Sequence, residues 1–513
     1  MLGRNIWWIT CAILCLASCS SVSEVQPQAK TESGMLEGID ADGIAVFRGI
    51  PFAAPPVGDL RWRAPQPVAP WQDVREAKQF SPICMQQGAY PEDAPMELSS
   101  EDCLYLNIWA PRNARKLPVM VWIYGGALQN GSASTPLYAG DRLARHGVVV
   151  VTTNYRLGVF GFLAHPDLTR ESASRSSGNY GLQDQIAALS WVRRNIEAFG
   201  GDPECVTVFG QSSGSISISA LIASPHAKGL FKRAIGQSGG IFEPLQLLPE
   251  LMLAGAEQTG VQFASSAGVA DLASLRAKSA DELLKMPFSA KIIVDGEVLT
   301  RPPYDIFIEG RQNDVAVLIG LNRDEGEWFI RGRTITTVNF RSELERGFPA
   351  FIVNLAGPPE SATDAHAHTA VAAFNRDIRF GWDMWTWARL ASRRSRNVFV
   401  YEFTQVPPHG SPYAGLGATH GAEMPYVFDN LDLQPLPWTD ADRRLAAAIG
   451  TYWTNFAKTG DPNGAGLPAW PAFSESNPQG LLLGEEIRAG IPFDEQSIVR
   501  IDTAYSTLRR NKN

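Results

Sequence analysis

Short, continuously apolar runs recur along the chain and are separated by stretches in which apolar residues are spaced differently. The runs cover residues 104–109, 118–124, 147–153, 206–209, 316–320 and 397–403. A strand that is apolar at every position, rather than at every second one, is typical of a sheet covered on both faces. We therefore expect these runs to form buried β-strands.

Residues 181–198 show the second kind of spacing. Their apolar side chains lie three or four positions apart, at Leu182, Ile186, Leu189, Val192 and Ile196. This period predicts a helix with one apolar face. Because the predicted strands alternate with predicted helices, the sequence favours an α/β fold with a mainly parallel sheet.

The organisation of the chain predicts that residues 31–508 form a single domain. Large α/β folds of this length commonly form a single domain. Two segments, 245–291 and 332–396, interrupt the alternation with Ala-rich helical sequence, and we expect them to cap the edge of the sheet. Residues 50–70 contain six prolines interleaved with aromatic residues, which predicts a packed, irregular arm.

The first residues have the pattern of a secretory signal. Arg4 precedes an apolar stretch, residues 6–16, that is too short to span a bilayer. Small residues follow, so we interpret residues 1–18 as a signal peptide. Residues 16–19, Leu-Ala-Ser-Cys, resemble the lipobox of bacterial lipoproteins, which implies cleavage before Cys19 and lipidation of its sulfur and amine. An ordinary signal peptide is the alternative.

The predicted signal sets the expected location. With a lipobox, residues 19–30 form a polar tether, the protein is located in the periplasm or at the outer membrane, and the lipid is the only membrane contact that we expect. Without one, the protein is secreted. Either route leads to an oxidising compartment, in which the remaining cysteines could form a bridge.

Composition narrows the class of protein. The 513 residues are 45% hydrophobic and carry a net charge of −8, which argues against a disordered chain and against nucleic-acid binding. Outside the predicted signal and Cys19, the cysteines are Cys84, Cys103 and Cys205. No Cys-x-x-Cys or His-Glu-x-x-His spacing occurs, so we expect no metal site and no cofactor.

A candidate nucleophile follows the apolar run at 206–209. Gly210-Gln211-Ser212-Ser213-Gly214 connects this predicted strand to a predicted helix over 215–223. A serine at a sharp strand–helix turn is lifted clear of the sheet, and flanking glycines avoid clashes in the bend. The N–H groups that open the helix favour negative charge on a reacting oxygen.

A second small-residue turn has matching chemistry. The predicted strand at 119–124 leads into Gly125-Gly126-Ala127. Small residues allow backbone N–H groups to point at a ligand, as an oxyanion hole requires, and loss of one such donor costs about 2.7–4 kcal/mol of transition-state stabilisation.

Longer motifs resemble the type-B carboxylesterase (cholinesterase-like) family of α/β-hydrolases. Residues 199–214, Phe-Gly-Gly-Asp-Pro-Glu-Cys-Val-Thr-Val-Phe-Gly-Gln-Ser-Ser-Gly, resemble its nucleophile signature, and residues 101–107, Glu-Asp-Cys-Leu-Tyr-Leu-Asn, resemble its second signature. The resemblance implies an α/β-hydrolase fold with Ser212 as nucleophile. It also implies oxyanion N–H groups from Gly126, Ala127 and Ser213, and a Cys84–Cys103 disulfide.

The acid and the base should follow the serine in that order. By position, Asp324 and Glu325 both qualify after the strand at 316–320; the family's Asp-Glu-Gly pattern selects Glu325. His409 and His420 both follow the strand at 397–403, and the segment His420-Gly-Ala-Glu-Met-Pro-Tyr-Val-Phe resembles the family's base segment.

Ser238, in Gln-Ser-Gly, resembles a serine that supports the triad from behind in this family. A merely structural serine is the alternative at this position.

The sequence departs from the family pattern at the catalytic turns. Ala127 and Leu128 stand where Gly and Phe are usual, and Gln211 and Ser213 stand where Glu and Ala are common. Residues 85–102 contain no Trp, which argues against choline esters as substrates.

We therefore expect an exported serine enzyme that hydrolyses small-molecule carboxylic esters. A lipase, an amide hydrolase and a non-catalytic binding module with the same fold are the alternatives.

Overall fold

The computed structural model describes residues 26–88, 99–244, 248–269, 271–395, 397–408, 410 and 414–510. The predicted signal peptide, Cys19 and most of the tether lie outside the described residues, as does His409.

The described residues form sixteen β-strands, numbered here in chain order. They are β1 (Gln28–Lys30), β2 (Met35–Glu37), β3 (Ile39–Ala41), β4 (Ile44–Pro51), β5 (Arg75–Glu76), β6 (Ile83–Cys84), β7 (Ser99–Ser100), β8 (Tyr105–Pro111), β9 (Leu117–Ile123), β10 (Val149–Thr153), β11 (Gly201–Gln211), β12 (Arg233–Gln237), β13 (Ala316–Asn322), β14 (Val398–Phe403), β15 (Gly480–Leu483) and β16 (Arg488–Gly490).

Eleven of these strands form the central sheet, in the order β16-β15-β14-β13-β12-β11-β9-β10-β8-β4-β3. The strands from β15 to β10 pair in parallel. The strands at the two edges pair antiparallel. The predicted α/β fold with a mainly parallel sheet is confirmed, and each of the six predicted runs overlaps a strand of this sheet.

Seventeen α-helices accompany the strands in the described part of the chain. They are α1 (Asp141–Arg145), α2 (Gly158–Phe162), α3 (Pro166–Glu171), α4 (Tyr180–Asn195), α5 (Ser213–Ala223), α6 (Leu253–Ser266), α7 (Leu272–Ala277), α8 (Ala280–Leu284), α9 (Pro303–Ile308), α10 (Glu325–Ile330), α11 (Phe340–Gly347), α12 (Ala350–Ala356), α13 (Asp364–Arg376), α14 (Trp382–Ser392), α15 (Met424–Val427), α16 (Asp440–Thr459) and α17 (Glu495–Arg510).

The core lies on both faces of the sheet. In β9, every side chain from Val119 to Ile123 is inaccessible to solvent. Helices α4 and α5 pack against β11, α16 packs against β9 and β11, and α14 packs against β13 and β14. This double cover explains why the strands read as continuous apolar runs.

The segment 245–291 contains α6, α7 and α8, which pack in a second, smaller apolar cluster with α2 and the proline-rich arm. Trp62 of the arm is buried there, and its indole N–H donates to the carbonyl oxygen of Val159 at 2.9 Å. The segment 332–396 contains α11 to α14 and a π-helical turn, Asp377–Gly381. This turn lies immediately before α14 and therefore beside the sheet.

The sulfur atoms of Cys84 and Cys103 are bonded, so the bridge joins the residues on either side of the segment 85–102. Cys205 is unbridged and partly buried, with a guanidinium nitrogen of Arg233 3.2 Å from its sulfur. In the described ranges, no helix combines the length and the apolar character needed to cross a membrane.

Candidate active site

Four adjacent parallel strands carry the predicted site residues at their carboxyl ends. Ser212 follows β11, Ser238 follows β12 and Glu325 follows β13, while His420 lies in the segment after β14. Ligands of open α/β sheets bind outside the carboxyl ends of the strands. The sheet order therefore brings together residues that are far apart in sequence.

Ser212 sits at a sharp bend between β11 and α5. Its φ of 55° and ψ of −125° are rare for a residue with a side chain, and such strain costs about 1–3 kcal/mol. The bend is held by the Ser212 N–H, which donates to the carbonyl oxygen of Gln237 at 2.8 Å. Gly214 is required by close approach, because a Cβ there would lie 2.0 Å from the carbonyl oxygen of Ile123.

Glu325 and His420 form a carboxylate–imidazole pair. The Glu325 Oε1 atom lies 3.2 Å from His420 Nδ1. The carboxylate is fully buried, and the imidazole side chain is 12% exposed. The ring of Phe380, from the π-helical turn, stacks on the imidazole with centroids 4.6 Å apart and fixes its plane.

Asp324, the other carboxylate that sequence position allowed, faces a different group. Its Oδ2 atom accepts the backbone N–H of Ala418 at 2.8 Å. Of the two neighbouring carboxylates, Glu325 is thus the one directed at the imidazole. His409, the alternative histidine, lies outside the described residues.

The outer nitrogen of His420 faces the elbow. His420 Nε2 lies 3.1 Å from the amide nitrogen Nε2 of Gln211, the residue before Ser212. Among the described residues, the hydrogen-bond partner of His420 Nε2 is thus Gln211 and not the hydroxyl of Ser212. Hydrogen bonds between nucleophile and base are often long or misaligned in ligand-free enzymes and tighten when substrate binds.

The oxyanion turn follows β9 and lies against the elbow. Gly126, Ala127 and Leu128 all have positive φ angles, of 110°, 56° and 62°. A Cβ on Gly126 would lie 2.1 Å from the carbonyl oxygen of Asn130, so glycine is required there. Within the described chain, the N–H groups of Gly126 and Ala127 donate no hydrogen bond. They are available to an oxygen of a ligand.

The side chain of Ser213 joins the two turns. Its hydroxyl accepts the N–H of Leu128 at 3.2 Å. Ser213 is also the first residue of α5, so its own N–H has no partner within the helix. Ser213, which stands where Ala is common in the family, thus connects the oxyanion turn to the elbow through its side chain.

Two buried oxygen atoms behind the pair have no hydrogen-bond partner in the described part of the protein, namely Glu325 Oε2 and Ser238 Oγ. A third buried group nearby, the Glu423 carboxylate, accepts hydrogen bonds from Asn322 and Gln237. Burial raises the pKa of Glu423, since desolvation disfavours the charged form.

A cavity of about 530 Å³ adjoins the oxyanion turn. Gln129, from this turn, lines the cavity and donates to the carbonyl oxygen of Phe288 at 2.5 Å. The described lining carries no charged side chain and is built from Met, Leu, Val, Pro, Phe and small residues with three Gln amides.

Sequence reasoning did not assign a role to Gln211, to the hydroxyl group of Ser213 or to Phe380; for Ser213 it predicted only an N–H group in the oxyanion hole. The first two were visible as departures from the family pattern, which was the only available signal. Phe380 gave no signal, because its contact with His420 depends on the packing of a helical segment 40 residues away.

This sheet order and the elbow at the end of β11 define an α/β-hydrolase. The model of the carboxylesterase family matches residues 25–498. The chain therefore belongs to the carboxylesterase family, and its activity is the serine-dependent hydrolysis of carboxylic esters.

Individual relatives agree with this assignment. The chain is 38% identical to the fumonisin B1 esterase of Sphingopyxis macrogoltabida, over 90% of this chain and 87% of that protein. It is 37% identical to the para-nitrobenzyl esterase of Bacillus subtilis (strain 168), over 89% and 94% of the two chains. A solved PNB esterase structure aligns with a TM-score of 0.81 at 34% identity, covering 93% of this chain and 99% of that one.

Proposed function

We propose that Ser212, His420 and Glu325 form the catalytic triad. Ser212 is the nucleophile, His420 is the general base, and Glu325 is the carboxylate that orients His420. The observation that carries this proposal is the Glu325–His420 pair, which faces the elbow residue next to Ser212. An alcohol is too weakly acidic to attack an ester unaided, so the imidazole must accept its proton. Glu325 keeps the imidazole in the required tautomer and stabilises the imidazolium that forms.

In the first half-reaction, Ser212 Oγ attacks the carbonyl carbon of the ester while His420 Nε2 takes the hydroxyl proton. The negative oxygen that develops is stabilised by the N–H groups of Gly126, Ala127 and Ser213. The carbon–oxygen bond to the alcohol then breaks, and the alcohol leaves with the proton from His420. An acyl-enzyme on Ser212 remains.

In the second half-reaction, water replaces the alcohol. His420 takes a proton from the water as it attacks the acyl carbon, and the same proton returns to Ser212 Oγ when the acid leaves. The net change is the addition of one water molecule across the ester bond.

The substrates that we propose are small-molecule esters with an uncharged group on the side of the oxyanion turn. The cavity lined by Gln129 and Phe288 supports this proposal, because its described lining is apolar with neutral amides. A panel of p-nitrophenyl esters that differ in acyl length and charge tests the point. Faster turnover of charged than of matched neutral esters would contradict it, and preferential cleavage of matched amides would favour an amide hydrolase.

The triad is tested by comparing Ser212→Ala with Ser238→Ala on p-nitrophenyl acetate. Loss of the nucleophile lowers kcat by a factor of about 10⁶. Ser238→Ala removes a hydroxyl that has no hydrogen-bond partner among the described residues, and it should therefore retain most of the activity. Undiminished turnover by Ser212→Ala would end the proposal.

We propose further that the protein is exported and held to a membrane through a lipid on Cys19. The lipobox-like residues 16–19 support this proposal, and the Cys84–Cys103 bond is of a kind that persists in oxidising compartments. Cys19→Ser should release the protein from the membrane fraction. Unchanged fractionation of this variant would contradict the anchor and leave the enzymatic proposal untouched.

A further inference from the structure

Gln211 occupies a fixed position between the oxyanion turn and the base. The residue is only 4% exposed. On one side, its Nε2 atom lies 3.1 Å from His420 Nε2. On the other side, its Oε1 atom packs against Gly125, where a Cβ would lie 2.9 Å from that oxygen and 2.7 Å from the Gln211 carbonyl oxygen. The side chain thus lies between Gly125 and the imidazole, with its nitrogen directed at His420 Nε2.

The hydrogen-bond partners of His420 determine which nitrogen carries the proton. Nδ1 faces the Glu325 carboxylate, which can only accept, so Nδ1 carries the hydrogen. Nε2 then presents a lone pair, and the amide N–H of Gln211 donates to it. In this orientation of the amide, the bond is made only with the neutral imidazole, because the imidazolium would place two donors face to face.

We propose that Gln211 is a positioning residue for the base. Its amide holds the reactive tautomer of His420 and favours the uncharged imidazole until the Ser212 hydroxyl replaces the amide as the hydrogen-bond donor to Nε2. This inference rests on the proposed triad. It adds that the neutral amide at this position extends the activity of the enzyme to lower pH than a carboxylate would. A carboxylate here would accept Nε2–H and stabilise the imidazolium.

The other carboxylates on the elements packed around His420 already have partners. Glu325 is bonded to His420 itself. The other charged groups on these elements are Glu423, held by Asn322 and Gln237, Asp324, held by Ala418 and Arg323, Asp377, held by Arg376, Glu402, 3.9 Å from Arg376, Glu327, 3.6 Å from His368, and Arg379, which lies over the rings of Phe329 and Phe348. These groups are the same in every variant at position 211. A difference in pH dependence between such variants therefore reports on the side chain at 211.

The test is the pH dependence of kcat/KM for p-nitrophenyl acetate, whose acid limb reports the pKa of the base in the free enzyme. Gln211→Glu should move this limb to higher pH by about one unit or more. Gln211→Met keeps the length of the side chain without a donor, and should move the limb upward by about half a unit. An acid limb that stays in place in Gln211→Glu overturns the proposal.

Control variants distinguish an effect of the contact with His420 from a general effect of charge and from failure of the triad. Gln434→Glu adds the same charge at an exposed position outside the elbow and the cavity, and should leave the limb in place; an equal shift in this variant contradicts a role for contact with His420. If Gln211→Glu does not fold, an unshifted limb in Gln211→Met overturns the proposal. Ser212→Ala in the wild-type background tests the triad separately, so failure of the triad and failure of the Gln211 proposal give different results.

Discussion

Asp324 and Ala418 are joined by two hydrogen bonds that run in opposite directions. The Ala418 N–H donates to Asp324 Oδ2 at 2.8 Å, and the Asp324 N–H donates to the Ala418 carbonyl oxygen at 3.0 Å. Asp324 precedes Glu325, and Ala418 lies two residues before His420. The segment after β13, which carries the proposed acid, and the segment after β14, which carries the proposed base, are thus hydrogen-bonded to each other directly beside Glu325 and His420.

We expect Asp324→Ala to lower kcat by about 10- to 100-fold with little change in KM, because misplacement of the base by about 1 Å has an effect of that size. Asp324→Asn is the matched control, since it keeps an oxygen that can accept the Ala418 N–H. Steady-state kinetics on p-nitrophenyl acetate measure both. An equal loss in the two variants would show that the charge of Asp324, and not its hydrogen bond, is what matters.

The hydroxyl of Ser213 is expected to stabilise the oxyanion turn. Ser213→Ala leaves the Leu128 N–H without its acceptor, and a buried N–H without a partner costs about 1–3 kcal/mol. We expect a lower denaturant midpoint together with a fall in kcat. Ser217→Ala removes a hydroxyl from the same helix, where it bonds the Ser213 carbonyl oxygen, and should leave kcat unchanged. Stability and kcat equal to wild type in Ser213→Ala would contradict this role.

Glu402 is expected to lower the free energy of unfolding as the pH rises. Burial raises the pKa of this carboxyl from 4.5 to about 7, although Arg376 and Arg323 act in the opposite direction. Between these two values the unfolded chain ionises first and binds fewer protons than the folded one, so stability falls as the pH rises from about 4.5 to 7. Below this window the carboxyl is neutral in both states, and its penalty is absent.

Glu402→Gln removes this titration. Its free energy of unfolding, relative to that of the wild type, should rise by up to about 3 kcal/mol between pH 4.5 and pH 7.5. Denaturant unfolding at both pH values measures the difference, with the exposed Glu360→Gln as the matched control. A difference that stays constant with pH would contradict the origin assigned to it.

Much of the sheet could be predicted because a strand that is buried on both faces appears in the sequence as a run of consecutive apolar residues. The strand β12 escaped prediction since it holds Arg233, Gly236 and Gln237 within five residues. The arginine bonds the carbonyl oxygen of Ala457, and the glutamine side chain bonds Glu423. Polar side chains that find partners inside the protein interrupt an apolar run without ending the strand.

The candidate site was predictable where a local motif determines the backbone, as at Ser212 and Gly126. The choice between Asp324 and Glu325 required the family pattern, because neighbouring residues at a helix start differ only in the direction of their side chains. The contact of Gln211 with His420 joins residues 209 positions apart. Such a contact depends on where the long segment after β14 lies relative to the end of β11, and it leaves no pattern in the sequence.

The central claim, that Ser212 forms the acyl-enzyme, is tested most directly by covalent labelling with a p-nitrophenyl phosphonate followed by peptide mass mapping. We expect one label per chain, located on Ser212, with release of one equivalent of p-nitrophenol and loss of esterase activity in proportion. Ser212→Ala should take up no label. A label on another residue, or full activity after labelling of Ser212, would contradict the account.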